Sequence, residues 1–385
     1  MVAMVAMVAA SLAAMNVAVD SKSSIRPITK RRQLGCSDIM VSSCCLGTMT
    51  WGSQNTDEEA AEQMNLAWEM GVNFMDTAEI YPVPVKGEHA GATDRAIAKW
   101  LKSNGRARDE VVLASKVAGF NERFTFLRGE ATRVSREQII ASVDASLARL
   151  GVDHLDLLQI HWPDRYVPLF GNTAYDCTKE RAASVSFEEQ ARTMAELVKS
   201  GKIRSWGLSN ETPLGVSAFI AACEREGAPP PVSVQNSYSL LQRTDEAGLV
   251  EALRHHNVGY LPYSPLSAGV LSGKYQGREE PVDNSRLALF DGYYDKFKGT
   301  MAPLSVDAYS RLALELDLSP SALAIAFCDS RPFVTSTIIG ATSMNQLQDN
   351  LAGFNVDWTE DHEDGVKAIN AAFPDPWRMI VRDGG

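Results

Sequence analysis

Four polar side chains stand where stretches of apolar, strand-like sequence run out: Asp76, Tyr81, Lys116 and His161. Phe74-Met75 leads into Asp76-Thr77-Ala78-Glu79-Ile80-Tyr81, Val111-Val112-Leu113-Ala114-Ser115 into Lys116, and Leu155-Asp156-Leu157-Leu158-Gln159-Ile160 into His161. A carboxylate, a phenol, an amine and an imidazole gathered at one mouth suit delivery of a proton to a carbonyl oxygen. A phenol of unperturbed pKa ~10 releases its proton readily only beside a cation. Lys116 can be that cation, and Asp76 on the neighbouring strand can keep it charged against the cost of burial. His161 then supplies a donor that orients the carbonyl oxygen next to Tyr81. Singly, each residue has a plainer reading: a loop-capping carboxylate, a rim tyrosine before Pro82, a surface-directed lysine, a satisfied core histidine. Their joint occurrence on three successive strands is what argues for chemistry.

The elements that must position them follow from the pattern of the chain. Apolar strand-like runs at residues 43–47, 72–76, 111–116, 155–161, 203–208, 232–236, 258–263 and 335–340 alternate with amphipathic helical runs, after a possible hairpin over residues 32–41. Helix starts are legible. Thr56-Asp57-Glu58-Glu59 reads as a capping box closed by Gly71, Ser135 opens a helix that stops at Gly151, and Ser186 opens one that stops at Gly201. Thr212-Pro213 and Ser319-Pro320 each place proline at a first helical position. Eight β-α units with near-continuous apolar strands predict a closed (β/α)8 TIM barrel, whose catalytic face lies at the strand C-termini. An open dinucleotide-binding sheet would show a Gly-rich turn after its first strand. Here that strand ends Leu46-Gly47-Thr48-Met49-Thr50-Trp51-Gly52, without G-x-G-x-x-G. Connections over residues 162–185 and 264–304 and the tail from residue 354 are longer than a barrel requires, and long loops on that face usually bind something.

Composition fits one large domain over residues 32–385: the chain has 385 residues, 45% of them hydrophobic, with Gly and Pro scattered. Residues 1–31 read as a leader outside it. Met1 to Val19 carry no charge and repeat Met-Val-Ala, and no basic residues precede the apolar stretch as a secretory signal would require. A plastid or mitochondrial transit peptide, or a cytoplasmic protein whose translation starts at Met15, are the expectations; a membrane span is not, because these small residues are weakly apolar. The net charge is −11, and the basic residues Lys22, Arg26, Lys30, Arg31 and Arg32 lie in the leader or at its edge, so the body is more acidic still. That argues against nucleic acid as a partner. Cys36, Cys44, Cys45, Cys177, Cys223 and Cys328 lack C-x-x-C spacing and read as free thiols, with no metal site.

Three motifs are set aside. Gly269-Val270-Leu271-Ser272-Gly273-Lys274-Tyr275 has too few residues between its glycines for a phosphate-binding P-loop, and no Ser or Thr after lysine. Asn210-Glu211-Thr212 matches a glycosylation acceptor but falls at a strand end inside the expected site. His255-His256 are adjacent, so they do not share a helical face.

Asp76-Thr77-Ala78-Glu79-Ile80-Tyr81, the strand-ending Lys116 and Leu157-Leu158-Gln159-Ile160-His161-Trp162 resemble the aldo-keto reductases, over about residues 32–351. The first-strand ending and Tyr81-Pro82-Val83-Pro84 resemble the Tas-like branch, near the potassium-channel β-subunits. The resemblance implies an NADPH-dependent reductase of aldehydes or ketones with Asp76, Tyr81, Lys116 and His161 as catalytic tetrad and Tyr81 as general acid. It also implies an NADP(H) site. Gly47, Thr48 and Met49 belong to it, Ser209, Asn210 and Gln235 meet the nicotinamide end, and Tyr263 stacks on the ring. Ser264, Pro265, Leu266, Ser267 and Gly269 surround the pyrophosphate, Lys274 and Arg286 clamp phosphates including the 2′-phosphate, and Gly340, Thr342, Gln346, Asp349 and Asn350 take the adenosine end. A helix beginning near Ser343 would offer its N-terminus to phosphate. Trp51 and Trp162, with residues 165–175 and the tail holding Trp358 and Trp377, are expected around an apolar or aromatic carbonyl. Gly91-Ala92-Thr93-Asp94 departs from the Gly-x-Ser-Glu turn usual in relatives. Two rivals are a cofactor-binding regulatory subunit and a Schiff-base lyase using Lys116. Histidine at 161, where the channel subunits carry asparagine, favours the reductase over the first, and the company of Tyr81 favours it over the second.

Overall fold

Short strands buried on both faces cannot stand alone, and here eight of them pair side by side into a ring. The computed structural model describes residues 25–380 apart from 104, 106, 107 and 170–173. A hairpin of β1 (Arg31–Gln33) and β2 (Met40–Ser42) precedes the barrel strands β3 (Cys44–Gly47), β4 (Phe74–Asp76), β5 (Val112–Val117), β6 (Leu155–Ile160), β7 (Ile203–Ser209), β8 (Ser233–Ser237), β9 (Gly259–Tyr263) and β10 (Thr337–Ile339). The sheet order is β10-β3-β4-β5-β6-β7-β8-β9, with every named pair parallel. The ring closes through a parallel bridge between Tyr260 and Val334 and the Thr335 N–H donating to the Tyr260 carbonyl at 2.8 Å. This is the expected (β/α)8 barrel, and all eight strands lie within two residues of where the sequence puts their starts or ends.

Register divides the barrel interior into layers. Asp76 stands opposite Ala114, Lys116 opposite Gln159, and Ser209 opposite Gln235. Because strand side chains alternate, Phe74 and Asp76 share one face of β4, Val112, Ala114 and Lys116 one face of β5, and Leu157 and Gln159 one face of β6. The lower layer is apolar, packing Cys45, Phe74, Val112, Ala114, Leu157, Leu261 and Ile338 with Leu34, Ile39 and Val41 of the hairpin, which plugs the N-terminal end. The upper layer, Asp76, Lys116, Gln159 and Gln235, is polar and buried.

The helices are α1 (Asp57–Glu69), α2 (Ala92–Ser103), α3 (Arg136–Leu150), α4 (Phe187–Lys199), α5 (Pro213–Glu226), α6 (Leu249–His255), α7 (Arg286–Leu289), α8 (Tyr293–Lys298), α9 (Ala302–Glu315), α10 (Pro320–Ser330), α11 (Met344–Ala352) and α12 (Glu360–Ala372). The Thr56/Glu59 capping box forms, and Ser186, Thr212, Ser319 and Ser343 each accept a backbone N–H at a helix start. Ser135 occupies its N-cap without such a bond. Three features differ from the sequence reading. Residues 264–304 contain α7 and α8, too short to show a helical period, and the tail contains the thirteen-residue α12. The fold also starts before residue 32: Ile28 is buried, its N–H bonds the Met70 carbonyl at 2.7 Å, and β1 begins at Arg31. Residues 1–24 of the expected leader lie outside the described residues. Among the described residues no helix is long and apolar enough to cross a membrane.

Candidate active site

The ends of β4, β5 and β6 bring Asp76, Lys116 and His161 to one mouth, and the turn after β4 returns Tyr81 over them. Lys116 is fully buried and its ammonium donates to Asp76 Oδ2 at 2.5 Å, the Thr77 carbonyl at 2.9 Å and the Tyr81 hydroxyl at 3.3 Å. The other carboxylate oxygen of Asp76 accepts from Gln159 Nε2 at 3.1 Å and Gln235 Nε2 at 2.9 Å, and Gln235 also donates to Gln159 Oε1 at 3.1 Å. The Asp76 carboxylate is thereby bonded on both oxygens, which a buried charge requires. The Tyr81 and His161 rings meet edge-on, with centroids 5.7 Å apart, and each residue keeps about 8% of its surface exposed at the pocket. The four side chains thus stand together at one mouth.

Its electrostatics differ in one respect. Burial penalises the Tyr81 phenolate more than Lys116 favours it, so the phenol sits above its ordinary value instead of below. For Lys116 burial works against the ammonium, yet Asp76 and then Tyr81 overcome it, and the lysine sits above its usual value. Burial, followed by the Lys116 charge, pushes His161 well below the ordinary histidine value, so its ring is neutral near pH 7. Among the described residues His161 Nδ1 is buried without a hydrogen-bond partner.

The residues expected around a nicotinamide converge on the tetrad. Asn210, at φ 54°, donates to the His161 carbonyl at 2.8 Å and accepts from the Tyr263 hydroxyl at 2.6 Å. Ser209 Oγ bonds the Gln235 carbonyl at 2.7 Å, and Thr48 Oγ1 the Asp76 carbonyl at 2.9 Å beside Gly47. Beyond Ser264, Pro265 and Leu266, the backbone of Ser267, Ala268 and Gly269 is left-handed at three successive residues. A Cβ on Gly269 would lie 3.1 Å from Lys274 Nζ, so glycine leaves room for the ammonium. Burial lowers the proton affinity of both Lys274 and Arg286, and Arg286 lowers that of Lys274 further. Arg286 reaches Met49 Sδ at 3.6 Å and feels Tyr81, which puts it nearer the tetrad than an adenosine clamp would be. Neither cation forms an ion pair with a carboxylate among the described residues, so the pair fits an anionic group such as a nucleotide phosphate.

At the far end, the backbone N–H and hydroxyl of Thr342 donate to Gln346 Oε1 at 3.0 and 3.1 Å, and Asn350 donates to the Gly340 carbonyl at 3.1 Å. Asp349 is turned to Ser319 Oγ at 2.5 Å, at the start of α10.

The two tryptophans part company. Trp162 packs in the small cluster with Ala78, Ile80, Tyr81 and Ala118, its ring 4.9 Å from His161 and 6.0 Å from Phe124, with the indole N–H on the Phe120 carbonyl. Trp51 is fully buried in the main core with its indole N–H on Gln63 at 3.1 Å, so it does not line the mouth. The chain turns back at Thr50 and carries the ring inward: the Trp51 N–H bonds Thr48 and the N–H groups of residues 53–55 bond Thr50. In the tail, Trp358 packs on Phe327 of α10, and Trp377 reaches the loop after β9. Residues 170–173 of the expected pocket segment lie outside the described residues.

Sequence reasoning passed over Gln159, whose signal was one amide in an apolar strand. It also passed over Glu79, a buried carboxylate that accepts the Ala118 N–H at 2.7 Å and two bonds from Arg128, pinning the loop after β5 beside Tyr81. Asp94, at the departing turn, accepts from Thr77 Oγ1 at 2.8 Å and from Arg149 Nε at 2.9 Å.

An eight-stranded parallel barrel carries at its mouth a buried Lys–Asp pair touching a tyrosine and, among the described residues, two cations without a carboxylate partner, an arrangement suited to chemistry on a small molecule. Comparison with known proteins agrees: the Aldo/keto reductase family model matches residues 43–371. Protein tas of Escherichia coli is 36% identical over 340 residues, covering 88% of this chain and 97% of that protein. An aldo-keto reductase of Babesia bovis is 39% identical over 252 residues, 63% of this chain and 88% of its own length. A probable voltage-gated potassium channel subunit beta of Arabidopsis thaliana is 29% identical over 334 residues, 84% and 91% of the two chains. The chain belongs to the aldo/keto reductase family, and its relatives fit the Tas-like branch.

Proposed function

We propose that the protein is an NADPH-dependent oxidoreductase that reduces aldehydes or ketones to alcohols. The observation that carries this reading is the Lys116 ammonium, held between Asp76 at 2.5 Å and the Tyr81 hydroxyl at 3.3 Å. NADPH, when bound, supplies the hydride that reaches the carbonyl carbon. Everything else falls to the chain. Tyr81, kept protonated by burial, donates to the oxygen as negative charge grows there, and Lys116 stabilises the phenolate left behind. Asp76, tied to Gln159 and Gln235, keeps Lys116 charged and fixed. His161 is neutral, and an unpartnered Nδ1 costs least as a bare acceptor, which places the ring proton on Nε2 as a donor to the carbonyl oxygen.

Ser209, Asn210, Gln235 and Tyr263 would hold the nicotinamide end, with Gly47, Thr48 and Met49 beside it. Residues 264–269 with Lys274 and Arg286 would take the phosphates, and Gly340, Thr342, Gln346, Asn350 and the N-terminus of α11 the adenosine end. The mouth is apolar: from His161 the rings of Trp162, Phe124 and Phe126 follow at centroid spacings of 4.9, 6.0 and 5.5 Å, and Phe126 is 40% exposed. Such a wall suits an aromatic or extended apolar carbonyl. Tyr81→Phe removes the proton donor and little volume, so turnover should fall by at least about 10²-fold while NADPH binding stays near wild type; wild-type turnover in Tyr81→Phe would refute the mechanism.

A second reading is a nicotinamide-binding subunit with weak reductase activity, favoured by similarity to proteins named as channel β subunits. It predicts tight NADPH binding with negligible turnover of any reactive aldehyde. The protein is further proposed to work in the cytoplasm or a plastid, testable by locating a full-length fluorescent fusion.

A further inference from the structure

The segment that carries Lys274 and Arg286 is contacted by residues 377–380. Ser267 and Ala268 have φ of 47° and 60°, a left-handed region that residues with side chains enter rarely and keep only where surroundings enforce it. The Trp377 indole N–H donates to Ser267 Oγ at 3.0 Å, and Ser267 is buried. On its other side the Trp377 ring meets Phe297 of α8 at 5.8 Å, and Phe297 meets Tyr275 at 6.3 Å. Tyr275 follows Lys274 directly, and its hydroxyl accepts the N–H of Leu287, the residue after Arg286, at 3.4 Å. Behind the tryptophan, the Met379 carbonyl accepts the Met301 N–H at 2.7 Å and Ile380 forms an antiparallel bridge with Thr300. A base for these contacts is set by α12. Glu363 pairs with Arg331, and Gly365 admits Leu312 of α9 so closely that a Cβ there would meet its Cδ1 at 2.5 Å.

We infer that residues 374–380 form a latch, with Trp377 the positioning residue that holds the loop after β9 and its two cations in the shape that grips the cofactor phosphates. This rests on the cofactor reading above. An unlatched loop would let Ser267 and Ala268 relax, separate Lys274 from Arg286 and release the nucleotide sooner.

The test is NADPH release from the full-length protein, followed by fluorescence after rapid mixing with a trap, for wild type, Trp377→Ala and Trp377→Phe, alongside hydrogen exchange of residues 266–275 without nucleotide. Trp377→Ala should release NADPH about five- to tenfold faster, as loss of a buried hydrogen bond and its packing implies. Trp377→Phe, which keeps the ring packing and removes only the indole N–H, should shift release in the same direction by less, and exchange of the loop should quicken in both. Unchanged release and unchanged exchange in both variants would overturn the latch. If wild type binds no nicotinamide nucleotide, the functional reading fails instead, and the exchange measurement alone decides whether the tail orders the loop. Should Trp377→Ala fail to fold, Trp377→Phe carries both readouts.

Discussion

Tyr81 keeps its proton because it is buried, and Lys116 makes the resulting phenolate tolerable; the two effects oppose each other, and burial wins. A donor held above its ordinary value is protonated throughout the neutral range. Reduction should therefore show a flat kcat/KM from about pH 6 to 9 and fall only as Tyr81 ionises above pH ~10, while alcohol oxidation, which needs the phenolate, should rise over the same alkaline range. His161 adds no break near pH 6.5, because its folded value lies well below that and it stays neutral; a pH-rate profile with a step near 6.5 would contradict this assignment. Stability follows the same logic for Lys116. Its raised value means that its contribution is present below the unfolded lysine value and is lost as pH rises through the folded one. At position 51 the prediction is structural: Trp51→Ala should lower stability by about 3–5 kcal/mol in a denaturant titration, with little change in KM for the carbonyl. Tyr81 was legible because it follows Asp76 in the next turn, and Asp76, Lys116 and His161 because each stands at or next to the end of an apolar run. Gln159 was masked by lying inside one, and Trp51 misled because a residue shortly after a strand end reads as rim until its turn is seen folding inward.

At the scale of elements, the loop over residues 264–304 and the tail are where function and fold meet. Replacing Lys274 or Arg286 by Ala should weaken NADPH by roughly 1–3 kcal/mol more than NADH, measured by fluorescence titration of both cofactors. Equal losses would move the cation concerned from the 2′-phosphate to the shared pyrophosphate, a real issue for Arg286, which leans toward Met49 and Tyr81. Helix α12 carries its own pH signature. The hydrogen bond from Arg331, aided by one from Trp358, depresses Glu363 to about 2. The stabilisation this provides is present above the ordinary carboxylate value and is lost as pH falls toward the folded value. Protection of α12 relative to the intrinsic exchange rate at each pH should fall between about pH 4.5 and 2, ahead of that of the barrel strands. Sequence marked the long helices through caps such as Thr56, Ser186, Thr212 and Ser319. Helices of four and six residues, α7 and α8, have too few turns to show a period, and the tail's tryptophans could not reveal that one faces α10 and the other the loop after β9.

At the scale of the molecule, the barrel separates support from chemistry by depth. Apolar side chains and the β1–β2 hairpin fill the N-terminal end, and one polar layer of Asp76, Lys116, Gln159 and Gln235 sits above them under the mouth. The barrel and its polar strand ends were legible in eight alternating units; the full polar layer was not, because Gln159 lies inside an apolar run, nor was the latch, which depends on contacts across more than a hundred residues of chain. On the proposed function, this mouth reduces carbonyls with NADPH. Fluorescence titration of the purified full-length chain with NADPH and NADH, followed in the same cuvette by a reactive aromatic aldehyde, tests it most directly. NADPH should bind more tightly than NADH, and the bound NADPH signal should be lost rapidly on adding the aldehyde. Absence of nucleotide binding, or tight binding with no oxidation, would contradict it.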